Sequence, residues 1–255
     1  MNFKQIVKVS FVSILLLGTT FIWANDTKAT LPQSQVKEQK ASDILLNAYR
    51  YIESLRHFQI KAINLSEDVY KDDVIVELRH KITMEVRRPG SMFVDIEGDV
   101  KNQEIYINQG RFVIYSKKYN MYGELEVDET IDDTLDMLFN MYNIKSPLAN
   151  LVYSDISSRL RPKNDGYYIG VVDYKGVKCD YVVFTSDTKE LQVWIQKGNK
   201  PLIRKFIIID KTIKEKLRST TMLDWNLHPF SFFDRFEFIA PKNAMKIDIL
   251  PYKED

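Results

Sequence analysis

Residues 73–116 read DVIVELRHKITMEVRRPGSMFVDIEGDVKNQEIYINQGRFVIYS, and this stretch decides the class of fold. Apolar and polar side chains alternate along it, for example from Val76 to Arg79, which is typical of strands that bury one face. Turns as short as Arg88-Pro89-Gly90 and Asn108-Gln109-Gly110 separate the alternating segments. Strands joined by such short turns must be antiparallel, because parallel neighbours need long crossover connections.

Strands and helices are also predicted on both sides of this stretch. A strand is expected near 58–70, and apolar residues at helical spacing predict one helix from Ser42 or Asp43 and a second over 131–142, capped by Thr130. Ser146-Pro147-Leu148 is typical of a third helix start. Further strands are predicted near 166–174, 177–186, 190–197, 202–211, 217–226 and 235–240. A sheet this long must bury one face, either in a sandwich or by curling around the helices into a partial barrel.

The composition excludes several classes of protein. The 255 residues are 45% hydrophobic, which suits one sizeable globular domain, and the formal charge of +1 gives no attraction to nucleic acid. A single cysteine, Cys179, permits neither an intramolecular disulfide nor a thiolate metal cage, and we interpret it as a small buried apolar residue. No phosphate-binding loop, dinucleotide fingerprint or nucleophile motif occurs. We therefore expect no cofactor, no metal and no catalytic residues.

The N-terminus has the pattern of a secretory signal peptide. Lys4 and Lys8 precede an apolar run from Phe11 to Trp23, and Ala24 precedes a polar segment. The alternative is an uncleaved anchor, but this run is shorter than the ~20 apolar residues that span a bilayer. We therefore expect export to the periplasm. The predicted divisions are a signal peptide, a flexible arm and a single domain, at residues 1–24, 25–40 and 41–255.

Short motifs in this chain resemble those of the LolA-like lipoprotein carriers. Arg87-Arg88-Pro89 followed by Phe93 resembles their strand-turn-strand motif, and Gly110-Arg111-Phe112 with Tyr115 resembles the next hairpin. The order of the motifs over residues 41–250 is more similar still to a family of predicted periplasmic proteins that is placed beside LolA and LolB. Other motifs that contribute are Ser146 to Ala149, Trp194-Ile195, and the closing segment with Phe236, Phe238 and Pro241.

The resemblance implies an α+β, mainly β fold: a half-open antiparallel barrel of about eleven strands with a helical lid. Together with the export signal and the absence of an assembled catalytic group, it leads us to expect a monomeric, non-enzymatic protein that binds lipid, acyl chains or an acylated protein, that could dock an envelope protein, and that is peripheral to the membrane at most. By position, Arg88 would latch the lid, which we assign to the helix over 131–142. The candidate cavity or lid residues are Arg88, Phe93, Phe112, Tyr115, Leu135, Met137, Leu138, Met141, Trp194, Phe206, Phe236 and Phe238.

Two other functions remain open on the residues alone. In a structural or protein-interaction module of the cell envelope, side chains would fill the barrel and its surface would dock an envelope protein. In an enzyme, the acidic cluster from Glu124 to Asp136 would supply two facing carboxyl groups in a cleft. Solvated charge at the start of a helix is the simpler interpretation of that cluster, because no nucleophile or histidine lies near it in the sequence.

Overall fold

The computed structural model describes residues 40–144, 148–230 and 233–252. The predicted signal peptide, nearly all of the flexible arm, and Ser146-Pro147 lie outside these residues. The strands are β1 His57–Val69, β2 Ile75–Arg87, β3 Ser91–Gly98, β4 Asn102–Asn108, β5 Arg111–Ser116, β6 Met121–Glu126, β7 Tyr167–Tyr174, β8 Val177–Thr185, β9 Lys189–Gln196, β10 Ile203–Asp210, β11 Arg218–Asn226 and β12 Met245–Ile247. The α-helices are α1 Ala41–Ser54, α2 Ile131–Tyr142 and α3 Ile156–Arg159, and 3-10 helices occupy Lys71–Asp73, Ala149–Val152 and Phe233–Phe236.

The described strands form one sheet in the order β12-β6-β5-β4-β3-β2-β1-β11-β10-β9-β8-β7. All neighbours are antiparallel except β12, which pairs in parallel with β6. The edge strands β12 and β7 do not pair with each other, so the sheet is unclosed. The mainly β, half-open fold predicted from the sequence is confirmed.

The prediction of a strand over 235–240 is wrong. Phe236 ends a 3-10 helix and Phe238 lies in irregular chain. The ring of Phe236 packs against Arg87 on β2 and that of Phe238 against Tyr106 on β4, so this segment covers a face of the sheet and its backbone does not add a strand at an edge. Two strands were not predicted. The alternation in β6 is interrupted by Gly123, and β12 is only 3 residues long.

Alternation places the core on one face of the sheet. Phe58 on β1 pairs with Val86 on β2, which pairs with Met92 on β3, and all three are buried. The buried side of α1 belongs to the same apolar cluster, through Ala41, Ile44, Leu45, Ala48, Tyr49 and Ile52. We call this side of the sheet the helix face and the opposite side the outer face. Cys179 on β8 is buried and burial raises the pKa of its thiol, which confirms its interpretation as a small apolar residue.

The two long helices begin in different ways. Thr130 caps α2 as predicted, because its Oγ1 accepts a hydrogen bond from the Asp133 amide at 3.1 Å. The predicted N-cap of α1 at Ser42 or Asp43 is wrong: both residues lie inside the helix, which begins after Lys40. The Ser42 amide instead donates to the carbonyl of Asp165 at 3.0 Å, a contact that the sequence does not reveal.

Helix α2, the predicted lid, starts beside the β2–β3 turn. The amide of Ile131 donates to the carbonyl of Pro89 at 2.8 Å, and Ile131 and Leu138 are buried in the core. Met141 lies at the other end of the helix and is 49% exposed. Among the described residues, no helix is long and apolar enough to cross a membrane.

Candidate ligand-binding cavity

The chain after α2 returns across the helix face of the sheet. Residues 148–162, which we call the roof segment, contain the 3-10 helix Ala149–Val152 and α3. Leu151, Val152 and Ile156 are buried in the same core cluster as α1. The roof segment is therefore anchored by apolar contacts on the side that faces the sheet.

Arg88 joins the roof segment to the end of α1. Its Nη1 donates to the carbonyls of Ile52 at 3.0 Å and Leu55 at 2.5 Å. Its Nε and Nη2 donate to the carbonyl of Val152 at 3.2 and 2.6 Å, and Nη2 also reaches the carbonyl of Tyr153 at 3.1 Å. Only the forked donor set of arginine serves four carbonyls in this way.

The location of Arg88 explains its electrostatics. Burial lowers the pKa of its guanidinium group, whereas the carboxylates of Asp132 and Glu53 act in the opposite direction. An arginine stays protonated in spite of such a shift, so it remains a fixed cation at this junction. The sequence predicted that Arg88 holds a lid. The structure shows it holding the roof segment, whereas the prediction assigned the lid to α2.

Two acids of the cluster in α2 also bind the roof segment. Asp132 accepts hydrogen bonds from the amide of Ser154 at 3.1 Å and from its hydroxyl group at 2.5 Å. Asp136 accepts from the hydroxyl of Tyr153 at 2.9 Å and from Nη1 of Arg159 at 2.8 Å. Burial, and then the bond to Asp136, raise the pKa of Tyr153 to about 12. These two acids therefore help to position the roof segment, whereas the sequence predicted only solvated charge at the start of a helix.

A cavity of about 400 Å³ lies between α1, the roof segment and strands β8–β10. This volume is within the usual range for small-molecule sites. The apolar side chains that line it are Leu45, Leu151, Leu160, Pro162, Phe184, Leu191, Val193, Ile203, Phe206 and Ile208. Two uncharged polar residues, Tyr49 and Asn150, complete the interior, so the cavity suits a ligand that is mostly hydrocarbon.

The charged residues of this cavity are mainly basic. Arg159 is paired with Asp136 and with Asp155 at 2.5 Å. Arg161 and Lys189 also line the cavity and make no ion pair with any residue that the structure describes. Glu190 is the one acid in the lining, so the charged part of the wall is slightly positive.

A second cavity, of about 650 Å³, lies where α1 meets β1. His57, Arg56, Lys200 and His228 contribute to its wall, and its outer boundary includes Phe230, which is 89% exposed. A wall with this many polar groups and an exposed boundary buries less hydrocarbon than the cavity under the roof segment. We therefore take the smaller cavity as the candidate site.

Most of the predicted site residues on the helix face lie beside the candidate cavity, not in it. Phe206 lines the cavity, but Phe112 and Leu138 are buried in the packed core along the other half of the sheet. Leu135 and Met137 are half-buried against that core, and Met141 is largely exposed. Helix α2 contributes no residue to the wall of this candidate cavity, which is covered by the roof segment instead.

Five other predicted site residues lie on the outer face. Phe93 and Tyr115 point away from the helices, as the strand register shows, and Trp194 stacks on Tyr181 with ring centroids 4.2 Å apart. Phe236 and Phe238 cover this face from the C-terminal segment. Alternation separates the two faces of each strand, but the sequence does not say which set of residues faces the helices.

Phe238 closes an aromatic cluster on the outer face. Its ring centroid lies 5.4, 5.6 and 5.1 Å from those of Tyr106, Tyr115 and Tyr122. We expect Phe238→Leu to lower the free energy of unfolding by about 1.5 kcal/mol, since such ring pairs contribute beyond their buried area. Acyl-chain affinity should not change, because the cluster is on the opposite face from the cavity. Denaturant unfolding and ligand titration of the same variant check both parts, and a clear loss of affinity would contradict the second.

Most residues of the cavity wall were missed by sequence reasoning. Leu45 belongs to the apolar stripe of α1, and Val193 and Ile203 lie in predicted strands, so each was detectable as a core residue. Nothing in their spacing distinguishes a residue beside an empty space from one in a packed core. The roof residues Leu151 and Leu160 were even less visible, because the segment has little regular structure.

A family model described as predicted periplasmic protein (DUF2092) matches residues 41–250. No curated protein sequence matches the chain significantly.

Several solved structures are similar in fold to this protein. An uncharacterized conserved protein from Thermus thermophilus is 13% identical, with a TM-score of 0.47 and coverage of 82% of this chain and 98% of the other. The lipoprotein LppX of Mycobacterium tuberculosis is 8% identical, with a TM-score of 0.44 and coverage of 75% and 97%. A LolA superfamily protein from Nitrosomonas europaea is 11% identical, with a TM-score of 0.32 and coverage of 75% and 95%.

Proposed function

Because the chain belongs to the DUF2092 family of predicted periplasmic proteins, we propose that it is an exported binding protein for acyl chains. The acyl chain of a lipid or of an acylated protein would lie in the cavity under the roof segment, and the protein would catalyse no reaction. The observation that carries this proposal is the cavity itself, an apolar space of about 400 Å³ between α1 and strands β8–β10.

Burial of hydrocarbon is sufficient to supply the affinity. Each methylene removed from water contributes about 0.8 kcal/mol, so a long chain needs few polar contacts. Entry and release would require displacement of the roof segment, which is held at one end by Arg88 and along its length by Asp132 and Asp136. These polar contacts can break singly, which makes the roof segment a more suitable gate than the packed strands.

The contacts of two acidic residues of α2 support a function without catalysis. Asp132 and Asp136 are occupied by Ser154, Tyr153 and Arg159 of the roof segment. A glycosidase-type pair would instead present two carboxyl groups to an open cleft. In this protein the two carboxylates serve as structural acceptors.

Ligand binding to the purified, delipidated protein tests the proposal. We expect 11-(dansylamino)undecanoic acid to gain fluorescence on binding, and palmitate to displace it with a stoichiometry of one. Native mass spectrometry should show the corresponding palmitate adduct. A protein with a normal circular dichroism spectrum that shows neither the fluorescence gain nor the adduct would exclude acyl-chain binding.

A further inference from the structure

Tyr49 is a polar residue in the apolar wall of the cavity. It belongs to α1, its side chain lines the cavity, and it is 4% exposed. Its hydroxyl group makes no hydrogen bond with any residue that the structure describes, and it is not one of the fully enclosed polar atoms that lack a partner, so it is accessible from the cavity. A hydroxyl group in this situation is suited to meet a polar atom of a bound ligand.

The neighbourhood of Tyr49 supports this interpretation. Asn150 of the roof segment lines the same cavity, and its side-chain amide also has no partner among the described residues. Burial strongly raises the pKa of Tyr49, so the hydroxyl group stays protonated and remains a hydrogen-bond donor. The cavity therefore offers two uncharged donors, the hydroxyl of Tyr49 and the amide of Asn150, in addition to the basic groups of Arg159, Arg161 and Lys189 in its wall.

We propose that the hydroxyl of Tyr49 donates a hydrogen bond to the acyl oxygen of the ligand, so that the cavity prefers acyl compounds to plain hydrocarbons. This inference rests on the proposed function, since it assumes that an acyl chain occupies the cavity. The acyl oxygen can belong to the carboxylate of a free fatty acid or to the carbonyl of an ester. A hydrocarbon without such an oxygen gains nothing from the hydroxyl group.

Tyr49→Phe removes only the hydroxyl oxygen and keeps the ring. We expect it to lower the affinity for an acyl ligand by about fivefold, the usual effect of one hydrogen bond. The probes are palmitate and 1-monopalmitoylglycerol, with the hydrocarbon diphenylhexatriene as the ligand that lacks an acceptor. The affinity for diphenylhexatriene should be unchanged or slightly higher.

Tyr51→Phe is the matched control, because Tyr51 lies on the same helix and lines the second cavity. It should leave all three affinities unchanged. A loss for palmitate alone identifies a carboxylate as the acceptor, and a loss for both acyl ligands identifies the acyl carbonyl. Equal acyl affinities in wild type and Tyr49→Phe would overturn the inference and leave the proposed function intact, whereas a wild-type protein that binds none of the probes would overturn both.

The free energy of unfolding provides an independent readout for the same variant. Because the hydroxyl group has no protein partner, Tyr49→Phe should leave the unfolding midpoint of the delipidated protein unchanged or raise it. A lower midpoint would mean that the hydroxyl group stabilises the empty protein, which contradicts a role reserved for a ligand.

Discussion

Replacing Ile208 with Trp should lower the affinity for palmitate about 50-fold. Ile208 lines the cavity from β10, beside Leu191 on β9, and is half-buried. An indole ring at this position would occupy the space that the ligand needs. Displacing about three methylenes at about 0.8 kcal/mol each accounts for the expected loss.

Ile209→Trp is the matched control for this experiment. Ile209 is the next residue of β10, so its side chain points to the outer face of the sheet. We expect palmitate to displace the dansyl probe from Ile209→Trp as it does from wild type. If both tryptophan variants kept wild-type affinity, the ligand would not lie between α1 and β10.

Arg88→Ala should lower the free energy of unfolding by about 4 kcal/mol. The substitution removes five hydrogen bonds from a charged donor and leaves the carbonyls of Ile52, Leu55, Val152 and Tyr153 without this partner. Unpaired carbonyls in a partly buried site have a cost beyond the loss of the bonds themselves. Urea unfolding followed by circular dichroism measures the change.

Two further variants make the Arg88 prediction specific. Arg56→Ala removes an exposed arginine nearby and should change stability by less than about 0.5 kcal/mol. Arg88→Lys keeps the charge but not the forked geometry, so it should recover only part of the loss. An Arg88→Ala protein as stable as Arg56→Ala would show that the roof segment is held by its apolar contacts alone.

The strands were predictable because their cause is local. Alternation in residues 73–116 and the turns between the strands appear directly in the sequence, and antiparallel pairing follows from the short connections. Thr130 was predictable for the same reason, since a cap depends on residues three positions apart. The start of α1 was not, because the contact between Ser42 and Asp165 joins distant parts of the chain.

The cavity was less predictable because residues that border an open space have the same sequence pattern as residues in a packed core. The sequence placed Phe206 and Phe238 in one class of strand aromatics, yet the structure places them on opposite faces of the sheet. Arg88 was identified through its motif, but its partners lie in α1 and in a roof segment that has little periodicity. Tyr49 carried no signal at all, since a tyrosine beside an apolar helical stripe is ordinarily a packed residue.

Photo-crosslinking with a diazirine-labelled palmitate tests the central claim most directly, because it reports which side chains contact the acyl chain. After irradiation and peptide mapping by mass spectrometry, we predict adducts on α1 around Leu45, and on β9 and β10 between Leu191 and Ile208. Excess palmitate should suppress these adducts. Adducts confined to the outer face around Phe236 and Phe238, or adducts that excess palmitate does not suppress, would contradict an acyl site beneath the roof segment.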